Sequence, residues 1–266
     1  MSLVSVIMTA YNAEKTLDRT IKTILNQKYK NFELIIIDDC SGDNTLKVLK
    51  DFKKKHKNIR VITTSKNYGT FVCKNYGMKI AKGDYFTFHD SDDWCSPYYI
   101  SSSFENLKKS GADVSYTGCK TEFDEDVKDY RWIKGVGAYL EISTHSAFFS
   151  RKVFEEVGYF DSVRFGADNE LRKRFKAMGY NVSERKEIVT YYYLKREGSL
   201  TCNIATGYNK GKSKIREVYI ENYTKWHEEI KNKKYFMEFP LEERPFRVTA
   251  RHKPGKVDLS TFTEIS

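Results

Sequence analysis

Five carboxylates in this chain stand where apolar runs end. Leu34-Ile35-Ile36-Ile37 leads into Asp38-Asp39, and Tyr85-Phe86-Thr87-Phe88-His89 leads into Asp90-Ser91-Asp92-Asp93. In an open parallel sheet, ligands bind beyond the carboxyl ends of the strands, so carboxylates placed there face a ligand crevice. Hard oxygen donors on a turn after a buried strand suit Mg²⁺ or Mn²⁺ bridging to a diphosphate, which makes Asp90, Asp92 and Asp93 the candidate metal ligands. A cation held there would neutralise charge on a departing phosphate. The first cluster suits a nucleoside: Asp39 is placed to accept hydrogen bonds from a base or ribose. Thr9-Ala10-Tyr11-Asn12 ends a third apolar run, so that Tyr11 could stack on a base while the Thr9 backbone reads its edge. Taken singly, these residues have plainer uses. Asp38 and Asp43 suit helix caps, Tyr11 suits core packing, and three-residue acidic patterns are common in loops.

The elements that must position these residues follow from periodicity. The run at 4–8 reads as a buried strand with Asn12 as the following N-cap, and Leu17, Ile21, Ile24 and Leu25 recur at helical spacing up to Gln27. A strand at 33–37, a helix at 44–55, a strand at 59–63, a helix carrying Val72, Tyr76 and Ile80, and a strand at 85–88 continue the alternation. Such repetition implies βαβ crossovers and a mostly parallel, Rossmann-like sheet flanked by helices. Beyond Pro97 come a helix near 98–109, a strand at 113–117, an irregular stretch at 122–136, a helix beginning near Asp168 and a strand at 188–194. Ile215, Tyr219, Trp226 and Ile230 mark a long amphipathic helix, and the residues after it have little periodicity, as in an arm, a partner-binding segment or a partly disordered tail; helix and tail together could dock on a second subunit, on a membrane or back on the main domain. Residues 1–201 are therefore expected to form the main domain, in halves 1–95 and 96–201, with 202–266 as a C-terminal helix and tail.

Composition narrows the class. A chain of 266 residues with 19 Tyr, 17 Phe and only 4 Pro is long and aromatic enough for a proper core. No stretch approaches the roughly 18 apolar residues of a membrane span, and Met1-Ser2-Leu3-Val4 lacks the basic start of a signal peptide, so a cytoplasmic protein is expected. The five cysteines are scattered with no CxxC pair, which fits reduced thiols and no zinc site. Net charge is +10, concentrated at 46–82, where eleven Lys or Arg face one acid, Asp51. That segment suits a solvated helix face, or a polyanion such as nucleic acid.

The motifs together resemble the family 2 glycosyltransferases of the GT-A fold. They are Val4-Ser5-Val6-Ile7-Met8-Thr9-Ala10-Tyr11-Asn12, Ile37-Asp38-Asp39-Cys40-Ser41-Gly42-Asp43, Asn67-Tyr68-Gly69 with Lys74-Asn75-Tyr76-Gly77, and Asp90-Ser91-Asp92-Asp93. Within the family they look like the spore-coat polysaccharide type, over about residues 3–200. The resemblance implies a nucleotide-sugar donor, usually a UDP-sugar, and metal-dependent transfer with inversion. It puts Thr9, Tyr11 and Asp39 on base-contacting positions, and Asp92 and Asp93 on ribose and metal. Lys74 stands where the family usually has Arg, and a Lys cannot reproduce Arg's bidentate fork. Asp168 aligns with the base that deprotonates the acceptor hydroxyl. Ala167 replaces the usual Glu before it, and a carboxylate there also suits a helix cap. His145 falls near the donor phosphate or the acceptor, and equally suits a hydrogen-bonded structural histidine. Arg196 with Ser199-Leu200-Thr201 resembles the segment that closes over the pyrophosphate.

The acceptor expected is a glycan or lipid-linked glycan. Hydroxymethylated DNA or a protein side chain is the alternative, motivated by the basic segment and by Arg244, Arg247, Arg251, His252 and Lys253. A binding module without turnover is a second class, which the retention of Asp92, Asp93 and Asp168 opposes. A nucleotidyltransferase would need a Gly-rich, cationic triphosphate loop, and none stands near the N-terminus.

Overall fold

The computed structural model describes residues 1–123, 141–195 and 213–265. The elements run β1 (Val4–Ala10), α1 (Leu17–Leu25), β2 (Phe32–Asp38), α2 (Thr45–Lys55), β3 (Ile59–Thr64), α3 (Thr70–Ile80), β4 (Tyr85–Asp90), β5 (Trp94–Cys95), α4 (Tyr99–Ser110), β6 (Val114–Phe123), β7 (Glu141–Ile142), β8 (Phe148–Ser150), α5 (Arg151–Val157), α6 (Ala167–Ala177), β9 (Val182–Lys195), α7 (Lys214–Glu229) and β10 (Phe262–Glu264).

They build a single sheet of order β10-β3-β2-β1-β4-β8-β6-β9-β5, with β7 on β6. From β3 through β2 and β1 to β4 the pairing is parallel. Beyond β4 it becomes mixed: β8 runs antiparallel to both β4 and β6, while β6 and β9 are parallel. The mostly parallel sheet expected from the βαβ rhythm thus describes the first half only. β1 and β2 are buried at every residue because helices cover both faces, which is why they read as unbroken apolar runs. Alternation divides their side chains. Val4, Val6, Met8, Leu34 and Ile36 pack with Leu17, Ile21, Ile24 and Leu49 of α1 and α2. Ile7, Ile35 and Ile37 pack with Phe71 and Val72 of α3 and with Leu171 and Phe175 of α6. Gly77 lets α3 approach the sheet closely, since a Cβ there would lie 2.5 Å from Ile7 Cγ2 and 3.0 Å from Ile37 Cδ1.

Two local expectations need correcting. Asn12 does not cap α1, which begins at Leu17 after Thr16. It adopts a φ of 48° and links two crevice loops instead, its N–H donating to Ser41 Oγ and its Oδ1 accepting from Gly42 N–H. Nor are the residues after α7 a loose arm: β10 pairs antiparallel with β3, and Met237, Phe239, Phe246, Val248 and Phe262 enter the core beside α3, α6 and α7. Among the described residues no helix is long and apolar enough to cross a membrane.

Candidate active site

Strand register assembles the site. Thr9 on β1 lies opposite Ile37 and Asp90, and Ala10 lies opposite Asp38, so the expected carboxylates emerge side by side at one end of the sheet. Asp39 follows immediately, its N–H donating to Ala10 O at 2.8 Å. Its two carboxylate oxygens accept from Tyr68 N–H at 2.8 Å and Gly69 N–H at 2.7 Å. Burial raises its pKa even so, against those two hydrogen bonds. Asp39 therefore shapes the Asn67–Gly69 turn. The turn needs glycine at 69, where φ is 92°. Thr9 Oγ1 bonds Thr70 Oγ1 at 2.7 Å, and Tyr11 is 52% exposed at the rim, which sets aside its core-packing reading.

Asp90 is clamped. Lys74 Nζ, buried on α3, reaches its Oδ1 at 2.8 Å, and His145 Nε2 reaches its Oδ2 at 2.8 Å. Burial opposes ionisation here, but the His145 and Lys74 charges and hydrogen bonds prevail and hold Asp90 well below the usual carboxylate range. His145 Nδ1 also contacts Tyr193 OH at 2.7 Å. Lys74 thus neutralises a carboxylate within the protein.

Asp93 is buried, accepting from Tyr191 OH at 3.0 Å and from Leu194 N–H at 2.9 Å. Burial first, then the Asp92 and Asp90 charges, push it well above the ordinary range. Asp92 is half-buried. Its loop is tied to α1 by Thr16 and Thr20 hydroxyls donating to Ser91 O, by Thr20 to Asp93 O, and by Arg19 NH2 to Asp92 O at 3.1 Å.

Asp168 sits in the first turn of α6, where the helix dipole favours negative charge. Thr144 Oγ1 donates to its Oδ2 at 2.5 Å. Thr144 and His145 are neighbours on one 3-10 turn, Thr144–Ser146, so one short turn touches both Asp90 and Asp168. Arg196, with Ser199-Leu200-Thr201, lies outside the described residues.

Among the described residues no three His, Cys, Asp or Glu side chains converge as a ready metal cluster. The donor chemistry nevertheless fits a hard divalent cation. Asp90, Asp92 and Asp93 are oxygen donors, and burial followed by the Asp92 and Asp90 charges raises Asp93, a crowding of carboxylates that a cation would relieve.

Tyr68 entered the reading of the sequence only within the Asn67-Tyr68-Gly69 motif and Thr144 only within the run around His145, and Tyr191 and Tyr193 escaped it. For the last two a signal existed: alternation along the strand at Tyr191-Tyr192-Tyr193 turns 191 and 193 toward the carboxylates and stacks Tyr192 on Trp94 at 5.9 Å. The polyanion reading loses part of its basis. Lys74 serves Asp90, Arg60 pairs with Glu33 and Glu264, Arg244 pairs with Asp161, and His252 is buried. A groove of about 660 Å³ lined by Tyr85, Phe104, Lys152 and Lys234 contains none of these site residues.

The family model described as glycosyl transferase family 2 matches residues 5–172. A relative from Escherichia coli, WfaP, named as a UDP-Glc:alpha-D-GlcNAc-diphosphoundecaprenol beta-1,3-glucosyltransferase, is 38% identical over 126 residues, 47% of this chain and 49% of its own length. The chain spans between about a third and a half of the length of curated relatives such as this one. Among solved structures, Staphylococcus aureus TarS 1-349 in complex with UDP-GlcNAc superposes with a TM-score of 0.58 at 21% identity, covering 75% of this chain and 60% of that one. The mannosyltransferase PcManGT from Pyrobaculum calidifontis, in complex with GDP-Man and Mn²⁺, gives 0.56 at 18% identity over 74% of this chain and 58% of its own.

Proposed function

The chain belongs to glycosyl transferase family 2 and has the GT-A fold, and on that premise we propose that it transfers a sugar, with inversion, from a UDP-sugar to a hydroxyl of a glycan or lipid-linked glycan. The observation that carries this reading is the Thr144–Ser146 turn. Through Thr144 and His145 it holds the candidate base Asp168 in fixed relation to Asp90 at the strand end where a donor diphosphate would lie. The UDP-GlcNAc bound to TarS and the UDP-Glc in the name of WfaP favour uridine as the donor base.

In this reading Asp39 and the Asn67–Gly69 turn receive the base, and Tyr11 stacks on it from the rim. Asp92 and the diphosphate would hold a Mn²⁺ or Mg²⁺ ion, which when bound supplies positive charge to the leaving nucleotide; Mn²⁺ in PcManGT supports this. Lys74 and His145 keep Asp90 ionised and fixed. Thr144 takes one lone pair of Asp168 Oδ2, fixing the carboxylate's rotamer and leaving Oδ1 to accept the proton of the acceptor hydroxyl as that oxygen attacks the anomeric carbon.

Replacing Asp168 by Asn tests it. General-base loss predicts turnover lower by about 10²–10⁴-fold, with UDP affinity, measured calorimetrically in Mn²⁺, unchanged. Equal loss of both would remove Asp168 from the role.

A further inference from the structure

Asp168 is reached through the segment 158–166 that joins α5 to α6; Asn75 of α3 holds Phe160, and chain beyond the family-matched region holds much of the rest. Tyr159 N–H donates to Met237 O at 2.9 Å. Asp161, fully buried, receives Arg244 NH1 on Oδ1 at 2.5 Å and Tyr219 OH on Oδ2 at 3.1 Å. The other nitrogen of the Arg244 fork donates to Ser162 O. Arg164 N–H donates to His252 O at 3.0 Å, and His252 Nε2–H returns a bond to Phe165 O at 2.6 Å while its ring stacks on Phe165 at 4.0 Å. On α6 itself, Glu170 meets His227 Nε2 at 3.0 Å.

We propose that residues 213–265 form a positioning clamp for Asp168, with Arg244 as its pivot; this rests on reading Asp168 as the base. The chemistry supports the assignment. A buried carboxylate such as Asp161 is tolerated only when paired, and a bidentate guanidinium pinning both a side chain and a main-chain oxygen fixes position as well as charge. The donor-side groups Asp39, Asp90 and Asp93 are held by Tyr68–Gly69, Lys74, His145 and Tyr191, none of which touches Arg244. Loosening the pivot should therefore disturb the base more than the donor side, whose Asn67–Gly69 turn meets the same segment only at Arg164, which donates to Asn67 Oδ1 at 3.2 Å. A misplacement of about 1 Å in a reacting group can lower a rate by about 10²-fold.

The full-length chain is compared with Arg244→Lys, Arg244→Met, Tyr219→Phe and Asp168→Asn. The readouts are UDP release from UDP-glucose and UDP-N-acetylglucosamine in Mn²⁺, UDP affinity by calorimetry, and amide hydrogen exchange at 161–168. The expected result is kcat lowered at least about tenfold in Arg244→Met with UDP affinity within about twofold, partial recovery in Arg244→Lys, and faster exchange at 161–168 in Tyr219→Phe, which removes a single hydroxyl and serves if Arg244→Met does not fold. Unchanged kcat in folded Arg244→Met, parallel loss of turnover and UDP binding, or unchanged exchange in Tyr219→Phe overturns the clamp. Should Asp168→Asn keep full turnover, the base assignment fails, and the exchange result then decides the clamp alone.

Discussion

Lys74 offers the sharpest test of how the site is held together. Its ammonium is 1% exposed and bonds Asp90 at 2.8 Å, while the Asp90 side chain is 29% exposed and keeps His145 as a second partner. Breaking a fully buried ion pair costs about 3–5 kcal/mol, and a surface pair is worth under about 1 kcal/mol. Asp90 stands between these limits. Lys74→Met keeps the stem packed near Phe71 and removes only the charge, so the loss should be about 2 kcal/mol. With a urea m-value of about 2–3 kcal/mol/M, the unfolding midpoint should fall by slightly under about 1 M. The measurement belongs near pH 7. The folded-state pKa of Asp90 is depressed, so its stabilisation is complete above the unfolded carboxylate range and disappears as pH falls below it. His145→Gln is the companion: both partners serve one carboxylate, so the double variant should lose more than the sum of the two, by at least about 0.5 kcal/mol. A neutral Lys74→Met, or strict additivity, would refute the clamp on Asp90.

Two further outcomes follow from buried groups elsewhere. Burial, outweighing the Phe165 carbonyl bond and joined by the Arg216 and Arg244 charges, lowers His252 to about 4. The unfolded chain then takes up a proton below about pH 6.5 that the folded chain refuses, so stability is full above that pH and falls by up to about 3 kcal/mol as pH drops to about 4. His252→Gln, which cannot titrate, should flatten that slope in urea titrations at pH 7 and pH 4.5; an unchanged slope would show that His252 does not cause it. Gly77→Ala forces a Cβ to within 2.5 Å of Ile7 Cγ2, and the overpacking should cost about 1–3 kcal/mol despite alanine's better helix propensity. Calorimetry should show a lower Tm, and an equal or higher one would mean that α3 shifts away freely.

The first half of the fold was legible because its strands are buried on both faces and end in Asp38, Asp39 and Asp90, so that pattern and chemistry coincide. The partners of those carboxylates were not legible. Lys74 meets Asp90 only because α3 packs against β1, and His145 arrives from a turn after β7, contacts that no local spacing encodes. The place of the tail was left open for a related reason. Phe239, Phe246 and Val248 are buried one by one from irregular backbone, leaving no period to detect. Asp43 stands one residue before the N-cap Asn44 of α2, and its carboxylate accepts from Thr45 N–H and from Glu14 N–H of the loop after β1.

The pairing of β10 with β3 bears on how the molecule is made. Ile62 faces Glu264 in register, across about two hundred intervening residues. On the ribosome, β3 must therefore wait, with one row of backbone N–H and C=O groups open, until almost all of the described chain has been synthesised. An edge left unpaired for that interval is a template for strands of other nascent chains. Long-range pairings of this kind also slow folding. Yield of active protein should then depend on chaperone capacity and expression temperature more than its equilibrium stability would indicate.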